Sequence, residues 1–232
     1  MIDIIITNYN RETLIIRAIN SVFNQSYQDI HLIIVDDCST DNSVKVIEDL
    51  LEHNTSKVKC TFVKNKENKG AGFSRGLGLK FLEGKYMTFL DSDDYLEPSF
   101  IEELVKYCKF LNGSLIKSSL WDRVKYSVRR YIEDIPTFFK LVYFSKKVIC
   151  TTVKGYIYTQ NSSDSLCKNA DYLKTKIYML TAAMDNYYFL IGQGNYKLAQ
   201  KFNSSIDTLI DNLLNEVKKL PQIEVLQDEN NI

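Results

Sequence analysis

Up to about residue 111 the chain alternates between short apolar runs and longer stretches in which apolar residues recur three or four positions apart. The runs are Ile2 to Thr7, His31 to Val35, Val58 to Val63 and Tyr86 to Leu90, each the length of a buried strand. Between them, Thr13 to Phe23 places Leu14, Ala18, Ile19, Val22 and Phe23 at helical spacing. Ser39-Thr40-Asp41 can cap a helix that carries Val44, Ile47, Leu50 and Leu51 on one face, and Phe73 to Leu82 reads as a third helix. Strand and helix in alternation predict an α/β domain, a Rossmann-like, mostly parallel sheet flanked by helices. Ligands of such sheets sit at the carboxyl ends of the strands. Three polar clusters fall there: Thr7-Asn8-Tyr9-Asn10, Asp36-Asp37-Cys38-Ser39 and Asp91-Ser92-Asp93-Asp94.

Beyond Phe110 the alternation weakens. Leu115 to Ser119 has strand character, Trp121 to Tyr131 is basic and mixed, and Ile135 to Phe144 reads as a helix opened by Glu133-Asp134, acids well placed at a helix start. Val148 to Val153 and Tyr156 to Thr159 are expected to pair as strands across Lys154-Gly155. From Ala170 two helical stretches follow, and in the second Leu198, Phe202, Ile206, Leu209, Leu213, Val217 and Leu220 make an amphipathic stripe. Such a stripe must be covered by its own domain, by a second copy or by a membrane surface. Its polar face mixes Lys197, Lys201, Lys218 and Lys219 with Asp207, Asp211 and Glu216, without the basic bias of an interfacial helix. Tyr172, Tyr178, Tyr187, Tyr188 and Phe189 upstream add apolar surface, so a homodimer through the C-terminal helices is expected, with docking on its own domain as the alternative and peripheral membrane contact as the lesser role. The tail after Pro221 is expected to fray.

Composition narrows the class. With 232 residues, 45% apolar and 12% aromatic, the chain can bury one sizeable core and a small appendage. Lys+Arg and Asp+Glu both number 29, so no net field draws it to nucleic acid. Cys38, Cys60, Cys108, Cys150 and Cys167 are scattered, and with only His31 and His53 beside them no Cys/His metal spacing exists. Reduced thiols suit a cytoplasmic setting, and neither the run from Ile2 to Ile6 nor any other stretch has the length of a signal peptide core or a membrane span.

The stretch MTFLDSDDY, Met87 to Tyr95, then stands out: a strand that runs into three acids within four positions. Like charges so close disfavour joint ionisation unless a cation or strong donors compensate. Alternate residues leaving a strand point the same way, so Asp91 and Asp93 can face one cleft while Ser92 turns aside; Asp94 serves equally as a turn acid before Glu97-Pro98 or as a further metal ligand. The cluster is then either a solvated turn or the holder of something positive. In NKGAGFSRG, Gly70 and Gly72 permit close backbone approach while Lys69 and Arg75 can face phosphate.

These motifs in this order, IIITNYNRE, SVFNQSYQDIHLIIVDDCSTDNS, NKENKGAGFSRGLGL and YMTFLDSDDYLEP, followed more loosely by YIEDIPTFF and TVKGYIYTQNSSDSLCK, resemble the inverting glycosyltransferases of family 2. The resemblance implies a GT-A fold with a C-terminal helical appendage and transfer of a sugar from a nucleotide-sugar, UDP-linked, to a saccharide or lipid-linked acceptor with Mn2+ or Mg2+. It further implies Asp93 as metal ligand and Asp91 as ribose contact at the metal, Tyr9 and Asp37 on the base with Thr7 nearby, Asp36 as structural, and Asp134 as general base with Glu133 as alternate. The domain plan is then a catalytic part over 1–168, nucleotide-sugar binding in 1–111 and acceptor binding in 112–168, a helical segment over 169–221 and a tail over 222–232. Only about forty residues separate Asp93 from Glu133, so the acceptor part looks shortened. Trp121 is open between stacking on an acceptor sugar and packing in the core. The Lys, Asn and Ile-rich composition looks bacterial, and for a bacterial member the resemblance implies surface polysaccharide synthesis.

The shortened middle keeps a second reading open, a catalytically degenerate subunit that binds nucleotide-sugar, localised like the enzyme in the cytoplasm or at the inner face of its membrane. A sugar nucleotidyltransferase would carry a glycine-rich, Arg-containing loop after the first strand, where TNYNRE stands instead. A phosphatase with a D-x-D nucleophile expects its acids after the first core strand, and here they follow the fourth.

Overall fold

The computed structural model describes residues 1–108, 115–126, 134–145, 148, 153–159 and 172–217. They fall in two compact units, Met1–Ser165 and Leu166–Ile232. The first unit holds a five-stranded sheet in which β1 (Ile2–Asn8), β2 (Ile30–Asp36), β3 (Lys59–Lys64) and β4 (Tyr86–Asp91) run parallel. β5 (Tyr95–Leu96) leaves this sheet, whereas β6 (Ile116–Lys117) joins it antiparallel, giving the order β3-β2-β1-β4-β6. The expected mostly parallel sheet is the one observed.

The apolar runs work because both faces of the central strands are covered. Ile2, Ile4 and Ile6 of β1 and Ile30, Leu32 and Ile34 of β2 join one core with Ile15, Ala18, Ile19 and Val22 of α1 (Leu14–Phe23) and Ile47 of α2 (Ser43–Glu52). The alternate residues Ile5, Ile33, Val35 and Met87 meet Leu77 of α3 (Ala71–Gly78), Leu79 and Phe81 of the 3-10 turn after it, and Phe89, Ile116 and Trp121 on the other face. Each large aliphatic side chain buried so contributes about 1.5–3 kcal/mol. That frame fixes where the carboxyl ends of the strands lie. Trp121, partly buried against this core, packs edge-on to Phe89 at 5.9 Å and stacks on Tyr126 at 5.9 Å.

At the opposite edge one polar residue is sealed into the apolar run. Asp3 is fully buried, and its carboxylate accepts His31 Nδ1 at 2.9 Å and the backbone N–H groups of Glu83 and Gly84. His31 Nε2 in turn meets Thr61 Oγ1 at 2.8 Å, so one chain of hydrogen bonds crosses β1, β2 and β3. Buried polar groups satisfied in this way specify register.

Three elements differ from expectation. The third helix ends at Gly78 and continues only as the 3-10 turn Leu79–Phe81, and the strand near Leu115 is cut to Ile116–Lys117 before a 3-10 turn at Ser118–Leu120. A helix not expected at all, α4 (Phe100–Cys108), follows Pro98 with Glu102 and Glu103 in its first turn. β7 (Tyr156–Ile157) pairs antiparallel with β5, and residues 149–152 of its expected hairpin partner lie outside the described residues. Gly155 makes that pairing feasible: its φ is +137°, and a Cβ there would sit 3.0 Å from the Phe100 ring. The helix α5 (Asp134–Phe144) begins at Asp134 as expected, while Glu133 lies outside the described residues.

The second unit is a helical hairpin of α6 (Tyr172–Gly192) and α7 (Tyr196–Val217), packed on each other. Ala182, Asn186 and Leu190 of α6 and Ala199 and Ile206 of α7 are buried, and Phe202, Leu209 and Leu213 of the stripe are partly so. Among the described residues no helix is long and apolar enough to cross a membrane.

Candidate functional site

The parallel register puts Asn8 beside Asp36 and Thr7 beside Asp91, so the strand ends of β2, β1 and β4 form one continuous polar edge. Asn8 ends β1 and donates through Nδ2 to Asp36 at 2.9 Å and to Ser39 Oγ at 3.3 Å. Asp36 is fully buried and also accepts the Ser39 backbone N–H at 2.8 Å, which turns the chain sharply and holds Cys38 at φ +64°. Asp36 is thus a turn-builder. Asn10, at φ +51°, accepts Thr40 N–H at 2.8 Å and ties the end of β1 to the same turn. Between these anchors the Tyr9 ring is left 42% exposed.

Asp37 organises the glycine-rich loop. It is 3% exposed and takes Asn65 Nδ2 and Lys69 N–H on Oδ1, at 2.7 and 3.0 Å, and Gly70 N–H on Oδ2 at 2.6 Å. Among the described residues Oδ2 has that one donor, which leaves it an acceptor position of the kind a base imide N–H requires. Gly70, at φ +87°, opens α3 directly behind this contact. Lys69 contributes its backbone here. Its ammonium pairs with Glu67 at 2.9 Å and lies over the Phe73 ring.

The acids after β4 are sorted by environment. Asp91 and Asp93 are half-exposed, Ser92 and Asp94 are buried, which is the alternation expected for residues leaving a strand. Arg75, reaching from α3, places Nη2 2.7 Å from Asp91 Oδ1, and its guanidinium lies 5.8 Å from the centre of the Tyr126 ring. The Asp94 carboxylate accepts Tyr156 Oη–H on Oδ2 and Thr159 N–H on Oδ1, both at 2.8 Å. Burial pushes this carboxyl up, against those two hydrogen bonds, and the charges of Asp91 and Asp93 push the same way as burial. The same Tyr156 oxygen accepts the Asp91 N–H at 3.2 Å, and burial together with the Asp91 charge raises the phenol above its ordinary range. Arg17 of α1 closes the turn from behind, donating to Asp93 O and to Thr159 Oγ1 at 2.7 Å each.

Among the described residues no group of three or more His, Cys, Asp or Glu side chains converges to hold a cation alone. The donors at hand are the half-exposed Asp91 and Asp93, hard oxygen ligands on one side of the turn. That set fits Mg2+ or Mn2+, which bind through one or two carboxylates and take their other positions from phosphates and water. Asp134 opens α5 exposed, its own Oδ1 bonded to the Ile135 N–H, and the far end of that helix is anchored by Arg123 over the Phe144 ring at 4.1 Å. The structure thus joins Thr7, Asp37, Lys69, Arg75 and Asp91 along one edge, with Asp93 on the adjoining turn. Sequence reasoning missed Tyr156, Thr159 and Arg17; Tyr156 lies 62 positions from the acid it touches, and nothing local marks it.

The profile described as Glycosyl transferase family 2 matches residues 3–158. An uncharacterized glycosyltransferase of Haemophilus influenzae is 38% identical over 107 residues, 46% of this chain and 42% of that protein. The UDP-Glc:alpha-D-GlcNAc-diphosphoundecaprenol beta-1,3-glucosyltransferase WfaP of Escherichia coli is 39% identical over 95 residues, 41% of this chain and 36% of that one. The match therefore spans less than half the length of these curated relatives. Among solved structures, S. aureus TarS 1-349 in complex with UDP-GlcNAc superposes with a TM-score of 0.64 at 17% identity, covering 79% of this chain and 66% of that chain. The mannosyltransferase PcManGT from Pyrobaculum calidifontis in complex with GDP-Man and Mn2+ does so with 0.66 at 14% identity, covering 96% and 76%. At those identities the likeness is one of fold.

Proposed function

Since the chain belongs to glycosyl transferase family 2 and has the GT-A fold, we propose that it is an inverting glycosyltransferase that moves a sugar from a UDP-linked donor to a saccharide or lipid-linked acceptor in bacterial surface polysaccharide synthesis. The observation that carries the reading is the carboxyl edge itself, where the Asp37-ordered loop delivers Arg75 onto Asp91 beside the half-exposed Asp93. The names of a relative acting on a UDP-glucose donor and of neighbours crystallised with UDP-GlcNAc or GDP-Man support the nucleotide-sugar class.

In this reading the uracil lies against the exposed Tyr9 ring with its imide N–H on the remaining Asp37 lone pair, near Thr7. Asp91, oriented by Arg75, accepts a ribose hydroxyl, and the Arg75 and Lys69 side chains supply the positive charge facing the diphosphate. A divalent cation, Mn2+ or Mg2+, would be held by Asp93 with Asp91 and would supply positive charge for the diphosphate leaving group. Asp134 takes the proton of the acceptor hydroxyl as that oxygen bonds to the anomeric carbon from behind, and the sugar–phosphate bond breaks with its electron pair on the diphosphate. Glu133 is the alternate base. The short interval between Asp93 and Glu133 favours one second reading, a degenerate subunit that binds donor without turnover.

Calorimetry with UDP, with and without Mn2+, and incubation with radiolabelled nucleotide-sugars test both. Cation-dependent UDP binding lost in Asp93→Ala, together with turnover, is expected; equal affinity with and without the cation overturns the acid-turn assignment, and binding with no turnover selects the degenerate subunit.

A further inference from the structure

Three acids within four residues would repel one another, yet only two of them lie half-exposed. The third is taken away by a segment remote in sequence. Tyr156 spans the gap with one oxygen: it donates to Asp94 Oδ2 at 2.8 Å and accepts Asp91 N–H at 3.2 Å. The backbone that carries it is itself pinned, by the pairing of β7 with β5, by Glu97 N–H on Gly155 O at 2.7 Å and by the Phe100 ring 6.4 Å away, edge to face. Thr159, three residues on, gives its N–H to Asp94 and receives Arg17, which also holds the Asp93 carbonyl. Every residue from Asp91 to Asp94 except Ser92 is therefore bonded to this strap or to the arginine behind it.

We propose that Tyr156 is a positioning residue that sorts the acids of the turn, drawing Asp94 out of the cation-facing set and fixing the Asp91 backbone so that Asp91 and Asp93 alone present to a divalent cation and the donor. The inference rests on the donor-site reading for its ligand, but its geometry stands independently of turnover. Two consequences follow from the hydrogen bonds. Asp94 is not a cation ligand, and loss of one phenolic oxygen disturbs a turn four residues long without removing any packing, because the Phe100 contact belongs to the ring.

The test compares Asp94→Asn, Tyr156→Phe and the double variant with the wild-type chain, using Mn2+ titration in the presence of UDP followed by the electron paramagnetic resonance signal of free Mn2+, and amide hydrogen exchange of the peptide around Asp91. Asp94→Asn keeps an acceptor for Thr159 and is expected to leave Mn2+ affinity within about twofold of wild type. Tyr156→Phe is expected to weaken Mn2+ binding about tenfold and to speed exchange at Asp91 while the protein stays folded, and the double variant, which still lacks the phenol on the Asp91 N–H, is expected to stay as weak and as fast in exchange. Loss of Mn2+ binding in Asp94→Asn overturns the proposal, as does a Tyr156→Phe protein with wild-type affinity and exchange. A Tyr156→Phe protein that unfolds shows Tyr156 to be a packing residue and overturns it too. Should the wild-type chain fail to bind Mn2+ and UDP at all, the donor-site reading falls, and the exchange rate at Asp91 alone decides whether Tyr156 holds the turn.

Discussion

What separates one acid from another in this chain is the company each carboxylate keeps. Asp36 and Asp37 are neighbours, but the first is spent on Asn8 and Ser39 while the second gathers Asn65, Lys69 and Gly70. Asp37→Ala removes three acceptor contacts, and we expect UDP affinity to fall at least tenfold by calorimetry, with proteolysis of the 65–70 loop accelerated. Asp134 stands exposed at a helix start, so Asp134→Asn is expected to lower transfer by about two orders of magnitude or more, the range for a positioned general base, while UDP binding stays near wild type. Near wild-type transfer would pass the role to Glu133. Asp41 is the pH-sensitive case: burial pushes it up, yet hydrogen bonds from the Ser43 hydroxyl and backbone and from Glu12 N–H outweigh this and hold it below the ordinary range. A folded value lower than the unfolded one stabilises at neutral pH and is lost as pH falls through the folded value. Asp41→Ala is therefore expected to lower the thermal midpoint at pH 7 and to converge with wild type in acid, as scanning calorimetry across that range would show. The motifs holding Asp36, Asp37, Asp91 and Asp93 were legible because each ends a strand, a place readable from the apolar run before it. The sorting of Asp94 was not, since its partners Tyr156 and Thr159 come from the far end of the unit.

Among the elements, those that were legible are the ones whose partners the apolar pattern itself specifies. β1, β2 and β4 are buried on both faces, so nothing but a central strand suits them. β7 is two residues long, and its pairing with β5 depends on Gly155 adopting φ +137° against Phe100, a long-range event with no periodic signature. The turn into β4 shows how tightly the frame is built. A Cβ at Gly84 would sit 2.7 Å from Met1 O and 2.9 Å from Asp3 Oδ2, and the backbone oxygen among these cannot swing aside. Gly84→Ala is expected to cost about 1–3 kcal/mol as an overpacking change, more if the Asp3 hydrogen bonds are broken, and urea unfolding measures it. Because Asp3, His31 and Thr61 lie at the edge away from the acids, the loss should appear in stability and leave UDP affinity unchanged in the folded protein.

For the molecule as a whole, the stripe of α7 finds its first partner in α6, which the amphipathic pattern did not name. Ile177, Met184 and Tyr188 of α6 and Ile210 and Leu214 of α7 remain exposed, and it is this outward set that we propose for the homodimer expected from the C-terminal helices. Light scattering is expected to show a dimer that Ile210→Lys with Leu214→Lys converts to folded, UDP-binding monomers; a wild-type monomer at micromolar concentration rejects it. Leu209→Lys with Leu213→Lys, in the partly buried stripe, should instead lower the stability of the hairpin. The sequence by itself determined the alternation of strands and helices, hence the parallel sheet, and the arrival of three polar clusters at its carboxyl edge, because strand burial and ligand placement follow from local pattern. Only the tertiary structure decided which acids face outward, which loop Asp37 orders and where Arg75 lands. Those depend on hydrogen bonds between residues tens of positions apart, for which composition and periodicity carry no signal.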